Sequence, residues 1–268
     1  MIAILGGGIT AIAAAIELHK QGKDFVLIEM SDRLGGKIQS ANIDGYHLEF
    51  GPNTVLINHP ETKAFLEYLK LYDKRIEPNP KAIKRRFILK NGKPQAIPYS
   101  FGSLLKSKLI SLSTIFSILK EPFKKRVSVS VEESLADFSK RRFGDQIYED
   151  LITPFVSGIY AGDPEKMSLK YTMPLLNKAE ESYGSVVKGM PKLIKEKRAD
   201  LAEYDMPKQK IFSFKGGLVE MIDAAAAKIE GKYRLQSEVK KISRNGERYL
   251  FRIETNGKEE ILEVDKVI

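Results

Sequence analysis

The 268-residue chain has no cysteine. That excludes disulfides and thiol chemistry and fits a reducing compartment. Histidine is scarce. His19 falls in a helix pattern, His47 in a strand and His59 in a loop, too scattered for metal-ligand spacing, so each reads as structural. Neither a metal site nor a catalytic acid–base side chain is expected. Long apolar runs are also missing: Leu109 to Leu119 is apolar apart from serines and a threonine, and such a run is far short of the roughly twenty residues that span a bilayer. There is no internal repeat, no low-complexity tract and no nucleic-acid motif with aromatic interleaving. Met1 stands directly against the first apolar strand; with no room for a leader, the expected compartment is the cytoplasm.

Positive charge, by contrast, is abundant and uneven. The net charge is +9, and residues 74–142 alone carry seventeen Lys or Arg against five acids. The apolar run lies inside this block, with Lys106 and Lys108 before it and Lys120, Lys124, Lys125 and Arg126 after it. Two readings stay open there: a buried helix with solvated lysine flanks, or a helix lying in a membrane interface with lysines on anionic headgroups.

The first thirty residues hold the most specific pattern. Ile2 to Leu5 reads as a strand, Gly6-Gly7-Gly8-Ile9-Thr10-Ala11 as a tight turn opening a helix from Ala11 to Lys20, and Phe25 to Ile28 as a second strand ending at Glu29. This order suits a dinucleotide. Gly6 permits the turn, Gly8 lets the backbone approach a pyrophosphate, and the small Ala11 lets helix and strand pack closely. The helix N-terminus favours the anion, and a carboxylate 23 residues after Gly6 can accept ribose hydroxyls while disfavouring a 2′-phosphate. Downstream, Arg33 and Lys37 bring cations, and Gly35-Gly36 would bring backbone N–H groups, near the same phosphates. Glu49-Phe50-Gly51-Pro52-Asn53-Thr54 reads as a third contact, with glycine letting a flat ring approach the backbone.

Beyond these segments, a helix is expected over Glu61 to Leu71 with Ala64, Phe65, Tyr68 and Leu69 on one side. A hairpin is expected where Phe87-Ile88-Leu89 and Ala96-Ile97 flank Asn91-Gly92. Residues 100–210 read as short helices cut by prolines. A strand Ile211 to Phe214, a helix Leu218 to Ile229 and a strand Tyr233 to Gln236 read as a returning β-α-β unit. A hairpin over Arg248 to Thr255 and Glu259 to Val264 follows, with a strand beginning at Asp265 to Ile268, whose open edge favours pairing with another chain, a second copy included. The expected class is α/β (α+β overall): a Rossmann-like nucleotide-binding domain with a parallel sheet, in parts 1–56 and 211–268, interleaved with substrate-domain elements in 57–99 and a mainly helical, basic, membrane-facing region in 100–210.

The glycine turn, the acid ending the second strand, the Arg33-Leu34-Gly35-Gly36 doublet and the Glu49-to-Pro52 segment together resemble the flavin-containing amine oxidoreductase family. The resemblance implies FAD, held by Gly6, Gly7, Gly8, Ile9, Thr10, Ala11, Glu29, Met30, Gly35, Gly36, Lys37, Gly51, Pro52, Asn53 and Thr54, with Val239 meeting the adenine through its backbone and Arg33 behind the pyrophosphate. Ile152 to Ser168, with Phe212 to Leu218, looks most like the protoporphyrinogen- and coproporphyrinogen-oxidising branch of the family. That likeness implies hydride transfer from a porphyrinogen to flavin N5, with electrons passed to dioxygen or another acceptor, in heme biosynthesis. The protein would mainly orient the macrocycle. Asn53, Phe155, Ile159, Tyr160, Phe212 and Phe214 are the candidate substrate contacts, and peripheral attachment to the inner face of the cell membrane is one implied location. Family members run longer, so a missing carboxy-terminal region is also implied. The readings kept beside this one are another flavin amine oxidoreductase, acting on an amine or a polyene, and an inactive nucleotide-binding fragment.

Overall fold

A computed structural model describes residues 1–80, 86–97, 109, 111–125, 132–207 and 210–268. Lys106, Lys108, Ile110 and Arg126, part of the basic-flanked run, lie outside these residues. The chain divides into two compact units, 1–78 with 206–268 and 79–205.

The first unit begins as the glycine pattern dictates. Strand β1 (Ile2–Leu5) leads into helix α1 (Ile9–Lys20) and strand β2 (Phe25–Ile28), with β1 and β2 parallel and in register from Ile2↔Phe25 to Leu5↔Ile28. α1 starts two residues earlier than its apolar pattern suggested, directly after Gly8. It has His19 and Lys20 in its last turn, where cations suit the negative end of the helix dipole. A hairpin follows, β3 (Ser40–Ile43) with β4 (Tyr46–Glu49), then β5 (Val55–Leu56) and helix α2 (Pro60–Tyr68). α2 stops three residues short of expectation because Lys70 takes a left-handed φ of 58°. Its anchors also differ: Leu66 and Leu69 are buried, Phe65 and Tyr68 half-buried, and Ala64 exposed.

The second unit opens with the expected Asn91-Gly92 hairpin, β6 (Phe87–Lys90) against β7 (Lys93–Ala96), both turn residues at positive φ. Described helices then follow: α3 (Leu112–Lys120), α4 (Leu135–Phe143), α5 (Thr153–Tyr160), α6 (Pro174–Tyr183) and α7 (Val186–Asp200). Serines start three of them, because the hydroxyls of Ser111, Ser134 and Ser185 each accept an N–H from the first helical turn. Pro154 has no N–H and its ring crowds the preceding turn; the chain answers with a π-helical turn at Tyr148–Ile152. Leu135, Phe138, Val156, Leu169 and Val186 form the core of this unit. None of the described helices is long and apolar enough to cross a membrane.

Part of the basic block is neutralised internally. Arg142 and Glu121 are both fully buried and paired, and Arg142 also reaches Glu180 Oε1 at 3.3 Å. Arg141 grips Glu133 and Glu180, each through two hydrogen bonds of 2.7–2.8 Å.

Residues 206–268 complete the first unit. Strand β8 (Ile211–Phe212) pairs antiparallel with β5, not with the parallel sheet, so the second β-α-β unit read from the sequence does not form. Helix α8 (Val219–Lys228) and strand β9 (Tyr233–Arg234) follow, with β9 parallel to β2. Then comes a three-stranded meander, β10 (Ser237–Asn245), β11 (Arg248–Thr255) and β12 (Lys258–Val264), and last β13 (Lys266–Val267), parallel to β1. The sequence reading missed β10, whose lysines and arginines hide a strand that is exposed along most of its length.

The parallel sheet therefore runs β13-β1-β2-β9. β2 is buried on both faces, as apolar runs in parallel sheets are. Ile4, Phe25 and Leu27 face α1 and α8, meeting Ile12, Ala15, Ile16, Met221 and Ile222; Ala3, Val26 and Ile28 face Phe251, Ile253 and Val264 of the meander. This period-two division fixes the glycine turn at the carboxyl ends of the strands, where open α/β sheets bind ligands.

Candidate functional site

At those strand ends the backbone is already shaped as a cradle. Gly6 has φ of 89° and donates its N–H to Ile28 O at 2.8 Å, tying the turn to the second strand. Gly7 is packed tightly: a Cβ there would meet Leu34 Cδ2 at 2.8 Å and Glu29 Oε2 at 2.9 Å. Gly8 is the opposite, since a Cβ there would meet nothing within 4 Å. The turn thus has open space at the residue that begins the helix. The first-turn N–H groups of Ile9, Thr10 and Ala11 have no carbonyl four residues back within α1, and Thr10 is exposed.

Glu29 is held from three sides. Its carboxylate accepts the Gly7 N–H on Oε2, and the Ser31 N–H and hydroxyl on Oε1, both at 2.7 Å. Burial alone would raise this carboxyl; the hydrogen bonds from Ser31 and Gly7 outweigh burial and leave its pKa below the ordinary 4.5. A carboxylate offers about four acceptor positions; the Gly7 N–H and the Ser31 N–H and hydroxyl take three, and the Met30 N–H also favours the ionised form. Ser31 went unnoticed in the sequence, although a serine two residues after an acid is a common local hydrogen-bonding pattern.

Arg33 is engaged with its own loop. Its guanidinium donates to the carbonyls of Leu34 (3.2 Å), Gly36 (2.8 Å) and Ile38 (3.1 Å) and to Gln39 Oε1 (3.1 Å). That winding brings Gly35 beside the turn, where its N–H donates to Gly7 O at 2.7 Å. Gly35 N–H is consequently committed to protein and not to phosphate. Gly36 lies against Gly8, a Cβ on it being 3.2 Å from Gly8 Cα. Lys37 is exposed, and its carbonyl would stand 2.0 Å from a Cβ on Gly51; only glycine allows the third segment to lie there.

The third segment has a different first duty from the one read in it. Glu49 Oε1 accepts the Leu218 N–H at 2.9 Å, Ser40 Oγ accepts the Val219 N–H at 3.2 Å, and Ser40 donates to Glu49 Oε2 at 2.7 Å. These two residues cap α8, which has no cap of its own. Burial raises the Glu49 carboxyl, while hydrogen bonds from Ser40, Leu218 and His47 carry it below the ordinary value. Gly51, Pro52, Asn53 and Thr54 are exposed beyond it. Val239 arrives through β10, whose start is fixed when Ser237 N–H donates to Glu29 O (2.9 Å) and Gln236 N–H to Ser31 O (2.8 Å).

The structure therefore gathers Gly6 to Ala11, Glu29, Met30, Gly35 to Lys37 and Gly51 within the first unit. The candidate substrate contacts fare differently. Phe212 and Phe214 are 1% and 4% exposed, edge-to-face at 5.4 Å, and pack in the core. Phe155, Ile159 and Tyr160 belong to the second unit, where Ile159 and Tyr160 are exposed and Phe155 is partly covered.

The sequence profile of the flavin-containing amine oxidoreductases matches residues 12–268. This chain belongs to that family. Within it, the chain is 36% identical over 194 residues to protoporphyrinogen oxidase 2 of Arabidopsis thaliana, covering 70% of this chain and 38% of the relative. It is 33% identical over 205 residues to coproporphyrinogen III oxidase of Bacillus subtilis (strain 168), covering 71% and 43%. A solved structure from Exiguobacterium sp. 255-15, named "Putative protoporphyrinogen oxidase", superposes with a TM-score of 0.73 at 26% identity, covering 99% of this chain and 58% of that one. The chain thus spans about half the length of the relatives it matches. The family's cofactor is a flavin, and the residues present suit FAD: open space at Gly8, an ionised acceptor at Glu29, and first-turn N–H groups for which α1 itself offers no acceptor.

Proposed function

We propose that this chain carries the FAD-binding part of a porphyrinogen oxidase, acting on protoporphyrinogen IX or coproporphyrinogen III in heme biosynthesis with dioxygen as electron acceptor. The observation that carries the reading is the preformed cradle at Gly6–Ala11 and Glu29 in a chain whose named relatives oxidise those two porphyrinogens. In this reading the first turn of α1 binds the pyrophosphate, Glu29 accepts an adenosine ribose hydroxyl, and Val239 meets the adenine through its backbone. Arg33 acts as a positioning residue that holds Gly35 and Gly36 in place. Gly51 to Thr54 lie where a flat ring can approach. Bound FAD would supply the two-electron oxidation of the substrate. Substrate contact through Asn53, Phe155, Ile159 and Tyr160, and the division of the chain at 56, 99 and 210, are part of the same proposal.

A membrane contact on the inner face of the cell membrane is its remaining part. Phe116, Leu119 and Phe123 are 61%, 52% and 85% exposed, with Lys120 and Lys125 in the same stretch and Lys188 Nζ 5.7 Å from the Phe123 ring. Apolar side chains beside lysines suit an anionic lipid surface.

The test is to purify the chain, add FAD, remove excess and record the visible spectrum, then supply each porphyrinogen in air and follow porphyrin fluorescence. Retained flavin bands with turnover support the proposal. A colourless chain that takes up no FAD would overturn the cofactor assignment; flavin without turnover would overturn the activity for this chain alone.

A further inference from the structure

Without cysteine, the oxidisable sulfur of this chain lies in its seven methionines. Six of them are half-buried or buried. Met221 is 5% exposed in the core of the first unit, Met1 and Met206 pack against cores of the same unit, and Met167, Met173 and Met190 pack against the core of the second. Met30 stands apart at 70% exposure. A singly exposed apolar side chain is ordinary on a protein surface, so exposure alone gives it no role. Its place does.

Met30 lies between Glu29 and Ser31, at the carboxyl end of β2. Its own N–H is among the groups that bond the Glu29 carboxylate, beside those of Gly7 and Ser31. The backbone on either side of it is pinned to the start of β10, since Ser237 N–H donates to Glu29 O at 2.9 Å and Gln236 N–H to Ser31 O at 2.8 Å. A flexible, polarisable thioether is thus anchored at the rim of the cradle, next to the carboxylate assigned to the adenosine ribose. Thioethers gain by lying against an aromatic ring, and adenine is the ring due there in the FAD reading.

We propose that Met30 is a site of reversible oxidation by hydrogen peroxide, and that its sulfoxide loosens the adenosine end of the FAD cradle. This regulation rests on the FAD reading of the same site. The step is an oxygen transfer. The sulfur lone pair attacks one peroxide oxygen, an S–O bond forms as the O–O bond breaks, and the departing hydroxide takes the proton left on the new S–OH group and leaves as water; sulfur loses the two electrons that peroxide gains. A polar, chiral side chain replaces an apolar one and no longer gains by covering a ring. In the proposed reaction two electrons and two protons reach dioxygen and leave as this same peroxide, so Met30 answers to the enzyme's own product.

The test treats the purified chain with millimolar hydrogen peroxide, with and without saturating ADP, and follows each methionine by peptide mass spectrometry. FAD affinity is titrated by flavin fluorescence before and after treatment, for wild type and Met30→Leu. Met30 should oxidise about tenfold faster than the buried Met221, and ADP should slow the oxidation of Met30 alone. Treated wild type should bind FAD about two- to tenfold more weakly with its circular dichroism unchanged, and methionine sulfoxide reductases should restore the affinity. M30L, whatever its starting affinity, should show the same affinity before and after peroxide. Oxidation of Met30 no faster than that of the sheltered methionines, no protection by ADP, an affinity indifferent to peroxide, or an equal loss in M30L overturns the proposal. An untreated chain that takes up no FAD overturns the underlying cofactor reading, and the regulation with it, before any peroxide is added.

Discussion

Glu29→Gln separates the two tasks assigned to this carboxylate. The substitution keeps volume and removes charge. In the wild type the Gly7 N–H meets one carboxylate oxygen and the Ser31 N–H and hydroxyl meet the other, so an amide in either orientation sets its NH2 against at least one buried N–H donor. A buried donor left unpaired costs about 1–3 kcal/mol, and the chain should lose about that much stability in urea. A ligand hydroxyl bonded to this carboxylate, as proposed, also loses a charged partner. Such bonds are worth about 1.5–3 kcal/mol, which weakens FAD roughly 10- to 150-fold. The assay is FAD titration by flavin fluorescence, alongside urea unfolding followed by circular dichroism, for wild type and E29Q. Stability loss with the FAD affinity unchanged within twofold would refute the ribose assignment and leave Glu29 a purely structural clasp.

Arg142→Met should cost about 3–5 kcal/mol in urea unfolding, because it leaves the fully buried Glu121 without its cation; a loss below about 1 kcal/mol would contradict the ion-pair reading. Acid should unfold the chain for a definable reason. Glu29, Glu49 and Glu121 all have folded pKa values below the ordinary 4.5, so their stabilisation is complete above pH 4.5 and is lost as pH falls through the lower folded values; urea midpoints flat from pH 7 to 3 would contradict it. Gly7→Ala should lower the melting temperature, since its Cβ would sit 2.8 Å from Leu34, whereas Gly8→Ala, with open space and φ of −70°, should melt like wild type yet bind FAD at least tenfold more weakly. Finally, ADP should bind within about threefold of FAD, checked by competition; FAD binding tenfold tighter would mean that this chain grips the ring as well.

The parts of this fold legible in the sequence are those written in local pattern. β1, the glycine turn, α1 and β2 come from contiguous punctuation and apolar runs, and their observed bounds differ from the reading by at most two residues. β10 was not legible because an exposed strand of lysines and arginines has no alternation to read, and a bulge between Val239 and Lys241 breaks its parity. The misassigned β8 follows from pairing with β5, a contact across more than 150 residues that no local pattern carries. The same limit applied to the site. Glu29 was visible as an acid ending a strand, but Glu49 was read only as the first residue of a ligand-contacting segment, with no sign that it bonds the N-terminus of a helix 169 residues away. The basic block, read as solvated or lipid-facing, conceals Arg141 and Arg142 paired with Glu121, Glu133 and Glu180 from outside their own helix.

Two of the cradle's charged residues are spent first on the protein itself: Glu29 on Gly7 and Ser31, Arg33 on the carbonyls from Leu34 to Ile38. A loop fixed in this way has already met its ordering cost during folding, so a dinucleotide need not meet it on binding. That economy reaches only part of the proposed ligand. The turn, the helix N-terminus and Glu29 are carried by core strands, whereas Gly51 to Thr54 are exposed. In the proposed reading the adenosine and pyrophosphate end therefore rests on elements packed in the core of the first unit, while the ring end lies over the exposed Gly51 to Thr54.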